Sequence, residues 1–302
     1  MAASRPNPWL LAARLRTLPA SISPVIVGTA LALREGEFDP LIFVATLIAT
    51  VLLQVGANYA NDVFDYLKGA DRMRQGPLRV TQSGLLTPRQ MLIGTAVVFG
   101  LAALIGVYLV MAGGWPILVI GVLSIVCAVA YTAGPFSLAY RGLGDLFAFV
   151  FFGVVAVMGT YFLQTGRFTP VSFIASLPNA LFATAIIVVN NLRDMDADRE
   201  VGKRTLAVRI GDRATRVEYT LMLAGAYLIP LVLRAGGAVQ GWTWLLPWAS
   251  APVAFGLARD LWRTPRSPAL NPILARTAQL NLIFSALFAA GLIIGQLHTS
   301  AA

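Results

Sequence analysis

Leu41-Ile42-Phe43-Val44-Ala45-Thr46-Leu47-Ile48-Ala49-Thr50-Val51-Leu52-Leu53-Gln54-Val55 runs without a charge into Asn58-Tyr59-Ala60-Asn61-Asp62-Val63-Phe64-Asp65. The apolar part is close to the roughly 20 residues that carry a helix across a bilayer. Two carboxylates at its end mark where the chain meets a polar phase. Comparable runs recur outward from it: Ile22 to Leu33, Met91 to Met111, Ile117 to Ala133 and Leu146 to Leu163. Val171 to Val189, Leu221 to Leu233, Trp242 to Leu257 and Ile273 to Ile294 follow. Apolar residues make up 57% of the 302 and charged residues only 12%; mean hydropathy is +0.73. A soluble domain carries about twice that charge. The reading is an all-α, polytopic membrane helix bundle of about nine transmembrane helices, with residues 1–302 as one domain. Strands are not expected, because a lipid-exposed backbone must satisfy its own hydrogen bonds and a helix does so locally.

The net charge of +9 would suggest nucleic acid in a soluble protein. Here its distribution reads as topology. With nine spans, only Arg34, Arg167 and Arg234 fall on one side; 23 Lys and Arg less these three leaves 20 on the other. The positive-inside rule makes that basic side cytoplasmic, so the expectation is a multi-pass protein of the cytoplasmic (inner) membrane with no nucleic-acid partner. Met1 to Leu11 lacks the apolar core of a cleavable signal peptide, and Trp9 with its neighbouring arginines reads as an interfacial lead-in helix. Pro19 and Pro24 predict a kink or a late start for the first span. Cys127 is the single cysteine, which excludes an intrachain disulfide or a Cys-based metal site and reads as core or lipid-facing filler. His298 is assigned no role.

Chemistry concentrates at two helix ends on the basic side. Asn58, Asp62 and Asp65 lie at i, i+4 and i+7; Asn191, Asp194 and Asp198 lie at i, i+3 and i+7. Each set shares one helix face, whereas Asp196 points off its face and Asp71 reads as a loop residue. Carboxylates at the edge of a span normally face a bundle interior or a watery cavity. Two such faces opposed across a cavity make an all-oxygen site suited to Mg²⁺. The second end repeats the first weakly, as expected of duplicated helix groups.

Basic residues adjoin both clusters: Lys68, Arg72, Arg74 and Arg79 after the first, Lys203 and Arg204 after the second. Carboxylate-held metal together with forked Arg donors is an arrangement for a diphosphate. The expected roles are Asp62, Asp65, Asp194 and Asp198 as the catalytic, metal-binding carboxylates, with Asn58 and Asn191 as further metal ligands. Lys68, Arg79, Lys203 and Arg204 would bind the diphosphate. Between the fourth and fifth runs, Tyr131-Thr132-Ala133-Gly134-Pro135 and Tyr140-Arg141-Gly142-Leu143-Gly144-Asp145 form a turn-rich loop. Its Tyr131, Tyr140, Arg141 and Asp145 would form an acceptor subsite beside the metal; the bland reading is an aromatic belt with an Arg–Asp cap.

The paired acidic ends resemble the Asp-rich motifs of the UbiA superfamily of intramembrane aromatic prenyltransferases. Asn61, Asp62 and Asp65 match the first motif, with Gly69 where its third carboxylate stands. Asp194 and Asp198 match the second, with Asn191 in its first place. Within that superfamily the chain is similar over nearly its whole length to the 1,4-dihydroxy-2-naphthoate polyprenyltransferases. Arg16-Thr17-Leu18-Pro19, Asn58 to Asp62, Gly76-Pro77-Leu78-Arg79, Tyr140 to Asp145, Phe151 to Tyr161 and Asn190 to Asp194 carry the likeness. The resemblance implies nine helices around a central cavity open laterally to membrane lipid. It further implies Mg²⁺-dependent transfer of a polyprenyl group from polyprenyl diphosphate to 1,4-dihydroxy-2-naphthoate. CO₂ and diphosphate would be lost and demethylmenaquinol formed, a step of menaquinone biosynthesis. The alternatives are a sister enzyme acting on 4-hydroxybenzoate or homogentisate, and a transporter, whose carboxylates would sit nearer the membrane midplane.

Overall fold

The computed structural model describes residues 7–70, 76–239 and 241–300, with side chains through residue 295. Asp71, Arg72, Arg74 and the His298 side chain lie outside that description. The described chain is helical: α1 (Pro8–Ala13), α2 (Pro19–Arg34), α3 (Pro40–Leu67), α4 (Pro88–Gly113), α5 (Trp115–Ala130) and α6 (Gly144–Phe149) come first. Then follow α7 (Ala156–Thr165), α8 (Pro170–Glu200), α9 (Leu206–Ala235), α10 (Ala251–Arg263) and α11 (Asn271–Ser300). A π-helical turn, Val150–Val155, joins α6 to α7, and a 3₁₀ turn, Thr243–Ser250, leads into α10.

Helix starts are written into the sequence as a cap followed by proline. Asp39 accepts from the Leu41 and Ile42 amides ahead of α3. Thr87 with Gln90 and Thr169 with Ser172 close capping boxes ahead of α4 and α8. In each case proline takes the first helical position, where no amide donor is required.

Six helical segments are long and apolar enough to cross a membrane, and α1 with α2, bent by 50°, makes a seventh. The remaining two apolar runs, counted as spans from hydropathy, are used differently. α5 has 16 residues, about 24 Å of rise, and the chain turns at once beyond Tyr131. The run from Trp242 begins as a 3₁₀ turn containing Pro247 before α10 takes over. Among the described residues, length and apolarity therefore support six or seven spans against the expected nine.

The expected irregularity of the first span falls before Pro19. Pro24 lies inside α2 without ending it; the 50° bend falls between Thr17 and Pro19, and upstream of it Arg14, between α1 and the 3₁₀ turn Leu15–Thr17, has a φ of 54°, the one left-handed non-glycine among the described residues. That conformation costs an L side chain about 1–2 kcal/mol.

α8 is the central element, with 67% of its apolar window buried, whereas α4 at 22% is peripheral. The core joins α8 and α9 to α2 and α11, with the rings of Phe182, Tyr227 and Phe284 packed edge-to-face or tilted at 5.1–6.3 Å. Asn179 ties α8 to α11 by donating to Asn281 Oδ1 (3.1 Å) and Ser285 Oγ (2.9 Å). Gly153, in the π turn, meets α8 backbone to backbone: a Cβ there would stand 2.1 Å from Ala180 Cα. Gly153→Val should therefore destabilise the detergent-solubilised protein by about 1–3 kcal/mol. The fall in melting temperature should exceed that for Gly100→Val, since open space surrounds Gly100.

Candidate active site

α3 and α8 end beside one cavity of about 610 Å³, whose wall also takes residues from α2, α4, α5 and the α6–α7 span. Its deep part is apolar, lined by residues such as Val110, Ile117, Ile125 and Phe152. Cys127, read as filler, is on this wall.

Toward the end of α3 the polar wall residues are Asn58, Asn61 and Asp65; toward the end of α8 they are Asn191, Asp194 and Asp198, with Asn190 and Ala197 beside them. The two helix ends thus present the same spacing, i, i+3 and i+7. This corrects the α3 face read from sequence, because Asp62 is not on the wall. It is 1% exposed and accepts the Val80 amide at 3.1 Å and the Thr81 amide at 2.9 Å. Asp62 thereby fixes the loop after α3, and the loop presents Arg79. Arg79 Nη2 in turn donates to Asp65 Oδ2 at 2.8 Å, both groups buried.

Across the cavity, Arg193 grips Asp194 with both forks, Nε to Oδ1 at 2.8 Å and Nη2 to Oδ2 at 2.5 Å. The remaining donors of Arg193 reach Asn271 and Asn190. Lys203 Nζ stands 3.4 Å from Asp198 Oδ1. Arg193 was missed in the sequence. Its signal was an arginine inside a long apolar helix, which must be paired.

Tyr131 and Tyr140 bring the two ends together. Tyr131 lines the cavity; burial raises its phenol above the ordinary value, and Asp145, Asp65 and Asp198 each add to the rise. Tyr140 donates to Asp65 Oδ1 at 3.2 Å. Lys68 stands 4.4 Å and Lys203 5.4 Å from the centre of its ring. Arg204 donates its amide to the Tyr140 carbonyl at 3.0 Å, and Arg209 clamps the carbonyls of Arg204 and Arg141. The loop before α6 is therefore locked onto the loop before α9.

These contacts redistribute the residues expected at the acceptor and diphosphate subsites. Tyr140 belongs beside the basic and acidic groups. Asp145 is buried and accepts from Asn191 Nδ2 at 3.5 Å. Arg141 is exposed, its guanidinium over the Phe136 ring at 4.4 Å, so the structure does not bring it to the cavity. The Arg204 side chain is also exposed. Lys68 is held outside the wall by the Gly134 carbonyl and Ser137. Asp196 pairs with Arg266 and Arg199 away from the cavity, as its helical position predicts.

The donor set fits Mg²⁺: hard carboxylate and amide oxygens at a polar end of an apolar cavity. Asn191 donates its nitrogen to Asp145, which leaves its Oδ1 for a cation. Among the described residues no three acidic, His or Cys side chains converge tightly enough to hold a metal alone. A small hard cation here would need water or phosphate oxygens to complete its shell, which is how Mg²⁺ is usually held.

The sequence profile of the UbiA prenyltransferase family matches residues 21–283. The chain belongs to that family. This UbiA-family chain is 38% identical over 300 residues to the 1,4-dihydroxy-2-naphthoate octaprenyltransferase of Escherichia coli (strain K12), with 97% of each chain covered. It is 35% identical over 294 residues to the enzyme of the same name from Mycobacterium tuberculosis, covering 96% of this chain and 98% of that one. Two solved structures share its fold. A UbiA homolog from Aeropyrum pernix K1 superposes with a TM-score of 0.68 at 18% identity, over 91% and 97% of the two chains. A UbiA homolog from Archaeoglobus fulgidus, solved bound to GPP and Mg²⁺, gives 0.66 at 13% identity, over 95% and 100%.

The Arg193–Asp194 pair gives a test that separates architecture from chemistry. Arg193→Met alone strands a buried carboxylate and should cost about 3–5 kcal/mol of stability, whereas Arg193→Met with Asp194→Leu should regain much of it. Melting in detergent would show the recovery, while prenyl transfer should remain absent in the double variant.

Proposed function

We propose that this UbiA-family protein transfers a polyprenyl group from polyprenyl diphosphate to 1,4-dihydroxy-2-naphthoate, with release of CO₂ and diphosphate, to give demethylmenaquinol for menaquinone biosynthesis. One observation carries the reaction class: two acidic helix ends, with Arg79 and Lys203, meet on the wall of a cavity whose remaining lining is mainly apolar. The acceptor rests on the near-full-length identity to the naphthoate octaprenyltransferases.

Asp65, Asp194 and Asp198, with the amide oxygens of Asn61 and Asn191, would hold Mg²⁺ together with the diphosphate; Asp62 and Asn58 support that face from α3. Bound there, Mg²⁺ supplies Lewis-acid neutralisation of the leaving diphosphate. Arg79 and Lys203 are placed to take diphosphate oxygens as charge develops on them. Lys68, across the Tyr140 ring, adds to that positive field, and Arg204 contributes through its backbone. Tyr140 and Arg193 orient Asp65 and Asp194. The apolar depth of the cavity takes the prenyl tail and keeps water from the electron-deficient allylic carbon. Tyr131, at the boundary between the two regions, offers an aromatic face to the acceptor ring.

Membranes containing the chain should form prenylated naphthoate product only with Mg²⁺, and a chelator should stop turnover. Asp65→Ala, Asp194→Ala and Asp198→Ala should each lower turnover more than tenfold, at least about 1.4 kcal/mol of barrier. Product from 4-hydroxybenzoate but not from the naphthoate would move the enzyme to a sister reaction.

The basic-residue asymmetry supports a reading in which the active site faces the cytoplasm. With Cys127 replaced by Ala, a cysteine at exposed Arg204 should be labelled by an impermeant maleimide from the cytoplasmic side, and one at exposed Arg167 from the opposite side. Labelling of both from one side would refute this orientation.

A further inference from the structure

We propose that Arg209 is a positioning residue for the diphosphate end of the site, acting through Tyr140 and Lys203 without reaching substrate itself; the inference rests on the reading of that end given above. Arg209 is exposed near the start of α9 and is not among the residues of the cavity wall. An exposed arginine at the edge of a span ordinarily reads as a topology signal. Its donors say otherwise. Nη2 donates to the Arg141 carbonyl at 2.7 Å and Nε to the Arg204 carbonyl at 3.2 Å. These carbonyls belong to different loops, one before α6 and one before α9. Between the same two loops the Arg204 amide donates to the Tyr140 carbonyl at 3.0 Å.

Each clamped carbonyl adjoins a side chain that acts at the site. Arg141 follows Tyr140, whose hydroxyl donates to Asp65 Oδ1 at 3.2 Å. Arg204 follows Lys203, whose Nζ stands 3.4 Å from Asp198 Oδ1 and 5.4 Å from the centre of the Tyr140 ring. Tyr140 thus reaches the α3 end by its hydroxyl and the loop after α8 by its carbonyl, and the guanidinium closes that junction from outside. Asp65 and Asp198 both line the cavity, so the setting of the two loops governs the spacing over which a metal-bound diphosphate is held. A planar fork fixes two acceptors in direction as well as distance. Gly142 gives independent support. It has a φ of 75°, and a Cβ there would stand 2.8 Å from the Arg204 carbonyl oxygen and 3.1 Å from Arg209 Nε. The loops close on the guanidinium only around a residue without a side chain.

The test is a two-substrate kinetic matrix on the full chain in detergent, with melting curves beside it. Arg209→Gln should raise KM for the prenyl diphosphate about three- to tenfold, the scale of one ordinary hydrogen bond, and leave the acceptor KM and the melting temperature unchanged. Arg209→Lys, which can hold only one carbonyl, should recover part of the loss. Gly142→Ala, which wedges the loops apart, should raise the same KM. Arg213→Gln removes an exposed cation one turn further along α9 and should change neither KM. In a Tyr140→Phe background Arg209→Gln should add less than it does alone, because effects that pass through one side chain do not sum. The assignment of Arg209 is wrong if Arg209→Gln behaves like Arg213→Gln or raises the acceptor KM instead. It is equally wrong if both KM values rise as the melting temperature falls, or if the effect adds in full to that of Tyr140→Phe. The diphosphate reading survives each of these results. A wild-type chain that forms no product from any prenyl diphosphate overturns that reading and the positioning role together.

Discussion

The organising constraint is the cost of holding carboxylates where apolar helices end inside a bundle. An uncompensated buried charge of this kind costs about 3–5 kcal/mol, so each carboxylate has to be met by positive charge or by backbone donors. The structure meets them with different devices. Asp62 takes two backbone amides from the following loop, Asp65 takes Arg79 and Tyr140, Asp194 takes the fork of Arg193, and Asp198 takes Lys203. Most of the remaining architecture serves these contacts. The loop after α3 must fold back to bring Val80 and Thr81 to Asp62. The loop before α6 must dock on the loop before α9 to put Tyr140 between Lys68 and Lys203.

The same compensation explains how a site for a highly charged diphosphate coexists with a greasy cavity. Positive groups and acidic groups are interleaved at one end, so the resting site is near balance, and metal and diphosphate would enter together as another balanced set. Asp65, Asp194 and Asp198 are on the wall without converging into a closed metal cage, which leaves room for substrate oxygens. Away from that end the wall is mainly aliphatic and aromatic, a surface suited to a hydrocarbon tail.

The class, the helical fold and the acidic ends were legible in the sequence because they are one-dimensional signals. Apolar run length reports what crosses a bilayer, a cap followed by proline reports where a helix starts, and carboxylates at helix ends report a cavity. The i, i+3, i+7 set of Asn191, Asp194 and Asp198 survived intact because helical spacing alone determines which residues share a face. The same reasoning misplaced Asp62. A helix face has a width of about a hundred degrees, and both Asn58–Asp62–Asp65 and Asn58–Asn61–Asp65 fit within it. Only the docked loop, whose amides capture Asp62, decides between them.

What the tertiary structure alone decided is which charged loop residues reach the cavity. Lys68, Arg79, Arg141, Lys203 and Arg204 look alike in sequence, each a cation a few residues beyond a span. In the fold, Arg79 and Lys203 line the cavity, Lys68 is held behind the Tyr140 ring, and Arg141 and Arg204 face outward. Arg14 and Arg193, passed over in the sequence, are at the wall or directly behind it. Local spacing determines orientation only within one helix, whereas the direction of a loop side chain depends on contacts between segments far apart in the chain, such as Arg204 with Tyr140 or Asn58 with Ala13. The sequence by itself therefore determined the membrane class, the helix ends and the chemistry of their donors; the packing of loops onto helices determined which side chains perform it.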